Sequence, residues 1–197
     1  MKIPCLLLFI LFLLNSCLEK QEADKVLGHH LDDFQTCFEV SDDSFDNIRD
    51  ISLGYSLSFP EYWEPQDNSR GPLNTISASR TIIDSASQDL KDAMYMMATY
   101  FNLESVDVDS FVAEILNIEE NNNPRDQRLS KGRTKVFGKT CDWAIHRYRQ
   151  EGLTFKMLLL FFASREKEHV IIYEYKALDT ENWYNNICEM LRFKQDV

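Results

Sequence analysis

The sequence predicts an α+β fold: an antiparallel β-sheet packed with two main helices. Three observations predict it. Short runs of apolar–polar alternation or of continuous apolar residues dominate the chain from residue 51 onward. Only two stretches of that region carry an apolar stripe of helical period. The last strands are joined by connections too short for a parallel crossover.

Taken in order, Tyr55-Ser56-Leu57-Ser58-Phe59 alternates strictly and predicts a half-buried strand, ended by Pro60, which withdraws an amide donor. Ile76 to Asp84 is rich in Ile, Ser and Thr and predicts a second strand. Tyr95 to Leu103, apolar on both faces, predicts a third. Asp107 is placed to cap a helix whose stripe is Val108, Phe111, Val112, Ile115 and Ile118, and Asn121-Asn122-Asn123-Pro124 stops it. Thr134–Phe137 and Thr140–Tyr148 follow as strands parted by Gly138. Gly152 turns the chain into Leu153–Ala163, a strand apolar enough for the sheet centre. Ser164 to His169 predict a polar turn, Val170–Tyr175 a further strand, and Asp179 the cap of a final helix carrying Trp183, Ile187 and Leu191. No internal repeat of solenoid period is present.

Composition excludes several classes. With only 6 Gly and 5 Pro in 197 residues, a collagen-like or low-complexity chain is ruled out. A net charge of −11 argues against a nucleic-acid partner, which demands a strong excess of Lys and Arg.

The N-terminus reads Met1-Lys2-Ile3-Pro4-Cys5, then the apolar run Leu6 to Leu14, then Asn15-Ser16-Cys17. One positive charge, a short apolar run and small polar residues form the pattern of a secretory signal. The run is shorter than the ~20 residues a membrane-spanning helix needs. Leu14-Asn15-Ser16-Cys17 resembles the lipobox of bacterial lipoproteins; Ser16 matches the small residue usual before the cysteine, while Asn15 departs from the usual Ala, Ser or Thr. The resemblance implies cleavage before Cys17, diacylglyceryl transfer to its thiol and acylation of its amine, with palmitate-type chains holding the protein at a membrane. Each buried CH₂ contributes ~0.8 kcal/mol, so two or more chains anchor stably. The expected organisation is a signal peptide over residues 1–16, a lipidated acidic tether or arm over 17–50, and an α+β domain over 51–197. The expected place is the bacterial cell envelope. Leu18, rather than Asp, follows the cysteine, which favours the outer membrane.

The arm from Glu19 to Asp50 holds ten acidic residues and three basic ones. Val26, Leu27, Leu31 and Phe34 have helix-like spacing and allow a short amphipathic helix in what is otherwise read as a tether and loosely packed arm. Within it, His29, His30 and Asp33 are weak candidates for a divalent metal, since His29 and Asp33 stand at i, i+4 on a helix. The plainer reading is an exposed polar arm, and no metal or cofactor is expected.

Past the lipidation site the cysteines are Cys37, Cys141 and Cys188. They allow three different single disulfides with one thiol over, or stand as small buried hydrophobes. No Cys-x-x-Cys occurs, so neither a zinc knuckle nor a thioredoxin-type pair is supported.

Two surface candidates stand out. Arg128, Lys131, Arg133, Lys135, Arg147 and Arg149, with Arg125 and Lys139, make residues 125–149 strongly basic, and only Asp126 and Asp142 oppose them. Lys131, Arg133 and Lys135 recur at period two and share one face of a strand. This stripe is either a face for an acidic partner, lipid head groups or the chain's own acidic arm, or a charged edge strand that resists aggregation. Tyr55, Phe59, Tyr62 and Trp63 are either an aromatic groove for a ligand or peptide, or residues closing one end of the sheet. No G-x-S-x-G, H-E-x-x-H, P-loop or G-x-G-x-x-G is present. His146 follows Cys141 on one predicted strand without any sign that the two act together. No enzyme activity is expected.

The run Tyr55-Ser56-Leu57-Ser58-Phe59-Pro60 followed by Trp63, a central helix, Lys135-Val136-Phe137-Gly138 before a hairpin, and a C-terminal helix closing on Leu191-Arg192-Phe193 resembles the PsbP/DcrB-like superfamily over roughly residues 50–195. Tyr62 stands where members usually carry Gly. The resemblance implies an antiparallel sheet between helices and no shared catalytic residues. The expected function is therefore a lipid-anchored envelope protein acting as a non-enzymatic protein-binding or assembly module. Its alternatives are a periplasmic small-ligand or metal-binding lipoprotein, and an immunity-type lipoprotein against a secreted toxin. Its expected partners are a membrane, through the lipid on Cys17, and a protein.

Overall fold

Apolar alternation sustained over ten or more residues gives long strands, and the structure consists mainly of them. The computed structural model describes residues 25–26, 29–30, 37, 47–52, 55–66, 74–87, 89–104, 106–122, 127–136, 139–164 and 168–193. The elements are β1 (Lys25–Val26), β2 (His29–His30), β3 (Asn47–Ser52), β4 (Tyr55–Phe59), β5 (Glu64–Gln66), β6 (Asn74–Ile83), β7 (Leu90–Asn102), α1 (Val108–Asn122), β8 (Gln127–Val136), β9 (Lys139–Gln150), β10 (Leu153–Ser164), β11 (His169–Leu178) and α2 (Trp183–Leu191). One seven-stranded sheet runs β5-β6-β7-β11-β10-β9-β8, every neighbour antiparallel. A separate β3–β4 hairpin lies against β6 and β7. The expected α+β class, an antiparallel sheet with two main helices, is what the chain adopts.

Alternation divides the sheet into two faces. Met94, Met96, Trp143, Ile145, Leu158, Leu160, Tyr173 and Tyr175 pack with Trp183, Ile187 and Leu191 of α2 and with Leu57 and Phe59 of the hairpin. The opposite face gathers Phe101, Ala144, Leu159, Phe161, Val170 and Ile172 under Val108, Phe111, Val112 and Ile115 of α1. Gly132 on β8 pairs with Trp143, and a Cβ there would lie 2.7 Å from the indole ring. The β9–β10 turn is two residues, Glu151 (φ 52°) and Gly152 (φ 83°), the left-handed pair that matches hairpin twist.

Several boundaries differ from the sequence reading. β4 is buried on both sides: Ser56 and Ser58 are as inaccessible as Leu57, and the Tyr173 hydroxyl donates to the Ser56 carbonyl at 3.0 Å. A hairpin laid on a sheet is enclosed by its neighbours, and serine is small enough to allow it. β7 begins at Leu90 and β8 at Gln127, because pairing with β6 and β9 extends them through residues that alternation alone leaves ambiguous. Asp107 caps α1 as expected, accepting from the Ser110 amide at 2.8 Å. Asp179 does not cap α2; Asn182 takes that position, and the Asp179 carboxylate holds Arg147 at 2.6 Å and Lys156 at 2.5 Å instead. Two cations outweigh one backbone amide.

In the arm, β1 and β2 pair antiparallel, Val26 opposite His29, where the spacing allows a helix. Of the weak metal candidates, His29 and His30 lie in β2, and Asp33, with Leu31 and Phe34, lies outside the described residues. The expected domain start at residue 51 falls inside β3. Of the three possible disulfides, Cys37–Cys188 forms, joining residues 151 apart in sequence and lying in the core. Cys141 remains a buried thiol, and burial, with the nearby Asp142 charge, pushes it up to about 12. Among the described residues no helix is long and apolar enough to cross a membrane.

Candidate functional site

Alternation along β11 places Glu174 and Lys176 on the α1 face, beyond the end of the α1 cluster. Lys176 pairs in register with Tyr95 on β7, and its ammonium lies 4.5 Å from that ring's centre. Phe155 on β10 pairs with Tyr148 on β9; their rings stack at 5.6 Å, and the same ammonium lies 5.6 Å and 5.4 Å from them. Three strands thus deliver three ring faces to one cation, each such contact contributing about 0.5–2 kcal/mol. Burial holds the Lys176 amine below the ordinary lysine range, while Glu174 pulls it the other way.

A cleft of about 450 Å³ opens beside this group, lined by Ser79 and Thr81 of β6, Ala93 and Tyr95 of β7, and the Gln150–Leu153 turn. Ala93 supplies a small floor between larger side chains. The chemistry on offer is one ammonium, hydroxyls, an amide and aromatic walls. This arrangement can bind an anion with an apolar body; it contains no nucleophile–base pair.

A second polar cluster sits on the other face. The Tyr55 hydroxyl meets His169 Nε2 at 3.2 Å, with the Tyr100 ring centre 5.5 Å from the imidazole. Burial raises the Tyr55 phenol, with Tyr100 adding to it.

Of the two readings of Tyr55, Phe59, Tyr62 and Trp63, the structure favours residues that close the sheet rather than line a groove. Phe59 and Trp63 are core residues, Trp63 meeting Phe193 edge-on at 5.4 Å. Tyr62 is 61% exposed and lies under Arg80, whose guanidinium is 4.9 Å from its ring centre. Tyr55 turns to His169. The two-sided burial of β4 leaves no wall for a groove.

The basic stripe divides between the two faces. Lys131, Arg133 and Lys135 lie opposite Ala144, Asp142 and Thr140, and a bulge at residue 129 brings Arg128 opposite His146. Arg147 belongs to the α2 face, where Asp179 binds it, and Arg149 follows it there. Arg133 and Asp142 form a two-point pair at 2.7 and 2.9 Å, which raises the guanidinium's affinity for its proton. Arg128 donates to the Leu116 carbonyl of α1. β8 is the last strand of the sheet, the position where exposed Lys and Arg discourage strand addition.

Cys141 sits with Trp143 and Ile145, whereas His146 falls on the opposite face, so the two do not meet. Among the described residues no group of three His, Cys, Asp or Glu could hold a metal. Cys17 lies outside the described residues. The Lys176 group escaped sequence reasoning altogether. Alternation alone pairs Glu174 with Lys176, but only strand order brings Tyr95, Tyr148 and Phe155 to them.

No protein-family model and no curated protein matches the chain. Among solved structures, it is similar in fold to LpqN of Mycobacterium tuberculosis, described as involved in cell envelope biogenesis, at 15% identity over 74% of this chain and 85% of that one, with a TM-score of 0.47. It is likewise similar to PA94, a protein of unknown function from Pseudomonas aeruginosa, at 13% identity over 71% and 87%, TM-score 0.43. The Saccharomyces cerevisiae Ran-binding protein Mog1p matches at 10% identity over 76% and 90%, TM-score 0.43.

Proposed function

We propose that the chain is a bacterial envelope lipoprotein, anchored through lipid on Cys17, whose α+β domain is a non-enzymatic module that binds a protein partner. The observation that carries this reading is the Cys37–Cys188 disulfide. Disulfides persist in oxidising compartments and are rare in the cytosol, so the bond agrees with the secretory pattern of residues 1–16. It also ties Cys37, which follows Cys17 in the chain, to the core. A seven-stranded antiparallel sheet between α1 and α2 agrees with the PsbP/DcrB-like resemblance, which implies binding and assembly roles. The separation of Cys141 from His146, and a thiol pushed up to about 12, supports a role without nucleophilic chemistry.

Labelled palmitate is expected to enter the wild-type chain and not Cys17→Ala; absence of label from wild type overturns the anchor. Crosslinking in intact envelopes is expected to recover one specific protein, and recovery of none overturns the binding role.

A further inference from the structure

We propose that the Lys176 cleft is a binding site for a monocarboxylate attached to an apolar body, either a free aliphatic acid or the C-terminal carboxylate of a peptide ending in an apolar residue. The proposal goes beyond the anchoring and partner reading and does not depend on it.

Four observations carry it. Among the described residues, the Lys176 ammonium is held by ring faces and forms no ion pair, so its charge remains available to a ligand anion. That cation is fixed in place by three aromatic side chains from three strands, which removes most of the entropy a flexible lysine loses on binding. The cleft beside it has hydroxyls on one wall, Ser79 and Thr81, and apolar surface on the other, Leu153 and Phe155. A carboxylate bonded to the ammonium therefore leaves its chain on Leu153 and Phe155, over the small floor at Ala93. Finally, Glu151 lines the cleft and Glu174 stands within electrostatic reach of the ammonium. Both carboxylates oppose an incoming anion, and they oppose a polyanion such as a phosphate ester more strongly than a monocarboxylate held on the ammonium.

The test is titration calorimetry of the whole chain with two probes: hexanoate, and an N-acetylated tripeptide ending in a free leucine carboxylate. Hexanamide and the leucine amide serve as uncharged counterparts. Binding of either acid, weakened about tenfold or more in its amide, is expected, since a charge-assisted hydrogen bond is lost. Hexanoate alone binding assigns the site to aliphatic acids; the peptide alone binding assigns it to chain ends. Lys176→Met is expected to weaken the acid by a similar factor, and Ala93→Leu to abolish binding by filling the floor while keeping the charge. The acid-against-amide comparison needs no variant, so it stands even where a substitution disturbs folding. No binding of either acid, or equal binding of acid and amide, overturns the proposal. Persistence of acid binding in folded Ala93→Leu also overturns it.

Discussion

On the α2 face of the sheet, Trp143, Tyr173 and Tyr175 are fully buried against a helix, a hairpin and a disulfide. On the α1 face, one helix covers Phe101, Phe161 and Ile172, and beyond it the same strands carry Lys176 among three rings beside an open cleft. The strands are the same, and so is their alternation. What differs is the number of covering elements, and with it the residues each face tolerates. The doubly covered face holds its charged groups in pairs or hydrogen bonds, Asp92 with Asn186 and Asp179 with Arg147 and Lys156; the singly covered face leaves room for a cation and a ligand. Stability therefore concentrates on one side of the sheet and binding chemistry on the other.

The sharpest way to break this asymmetry is at the disulfide. Replacing both Cys37 and Cys188 with Ser releases a cross-link spanning 151 residues. The loop-entropy model puts the loss at about 5 kcal/mol, read as a drop in urea midpoint with little change at the Lys176 cleft. Next come paired truncations. Leu160→Ala on the α2 face should cost about 4–5 kcal/mol, and Leu159→Ala on the α1 face about 2–3 kcal/mol. Equal costs in equilibrium unfolding would erase the distinction between the faces.

The third is a pH effect. The Cys141 thiol is raised from 9.0 to about 12 by burial, so above about pH 9 the unfolded chain releases a proton that the folded chain keeps. Its contribution is complete below that value and falls as pH rises. Cys141→Ala should flatten the decline in unfolding free energy by about 2 kcal/mol between about pH 9 and about pH 10.5, measured against wild type at each pH. The smallest effect belongs to the charged edge. Arg133 is 59% exposed, and its pair with Asp142 should show a coupling of about 0.2–1 kcal/mol in a double-mutant cycle, shrinking with added salt.

Much of the architecture was legible because it is local. The stripe Val108, Phe111, Val112 and Ile115 specifies an amphipathic helix from spacing alone, and Asp107 does cap it. Gly152 marks a tight turn wherever it stands, since the positive φ it adopts suits glycine. Short links between β9, β10 and β11 leave antiparallel pairing as the only geometry available. In the arm, Val26, Leu27 and Leu31 fit a helical period over too few residues to decide against the β1–β2 strand pair. Sequence left the aromatic set open between a groove and a closed end for a related reason: Tyr55, Phe59, Tyr62 and Trp63 are neighbours in sequence, and only burial sends Phe59 and Trp63 inward and Tyr62 out.

Fold class, the two helices and the antiparallel run of the last strands were thus determined by the sequence itself, because each rests on periodicity and connection length within a few dozen residues. Which cysteines pair, which face each arginine joins, and which rings surround Lys176 were decided only by the tertiary structure. Those facts depend on strand order and register, which bring Tyr95, Tyr148, Phe155 and Lys176 together across separations that no local pattern records.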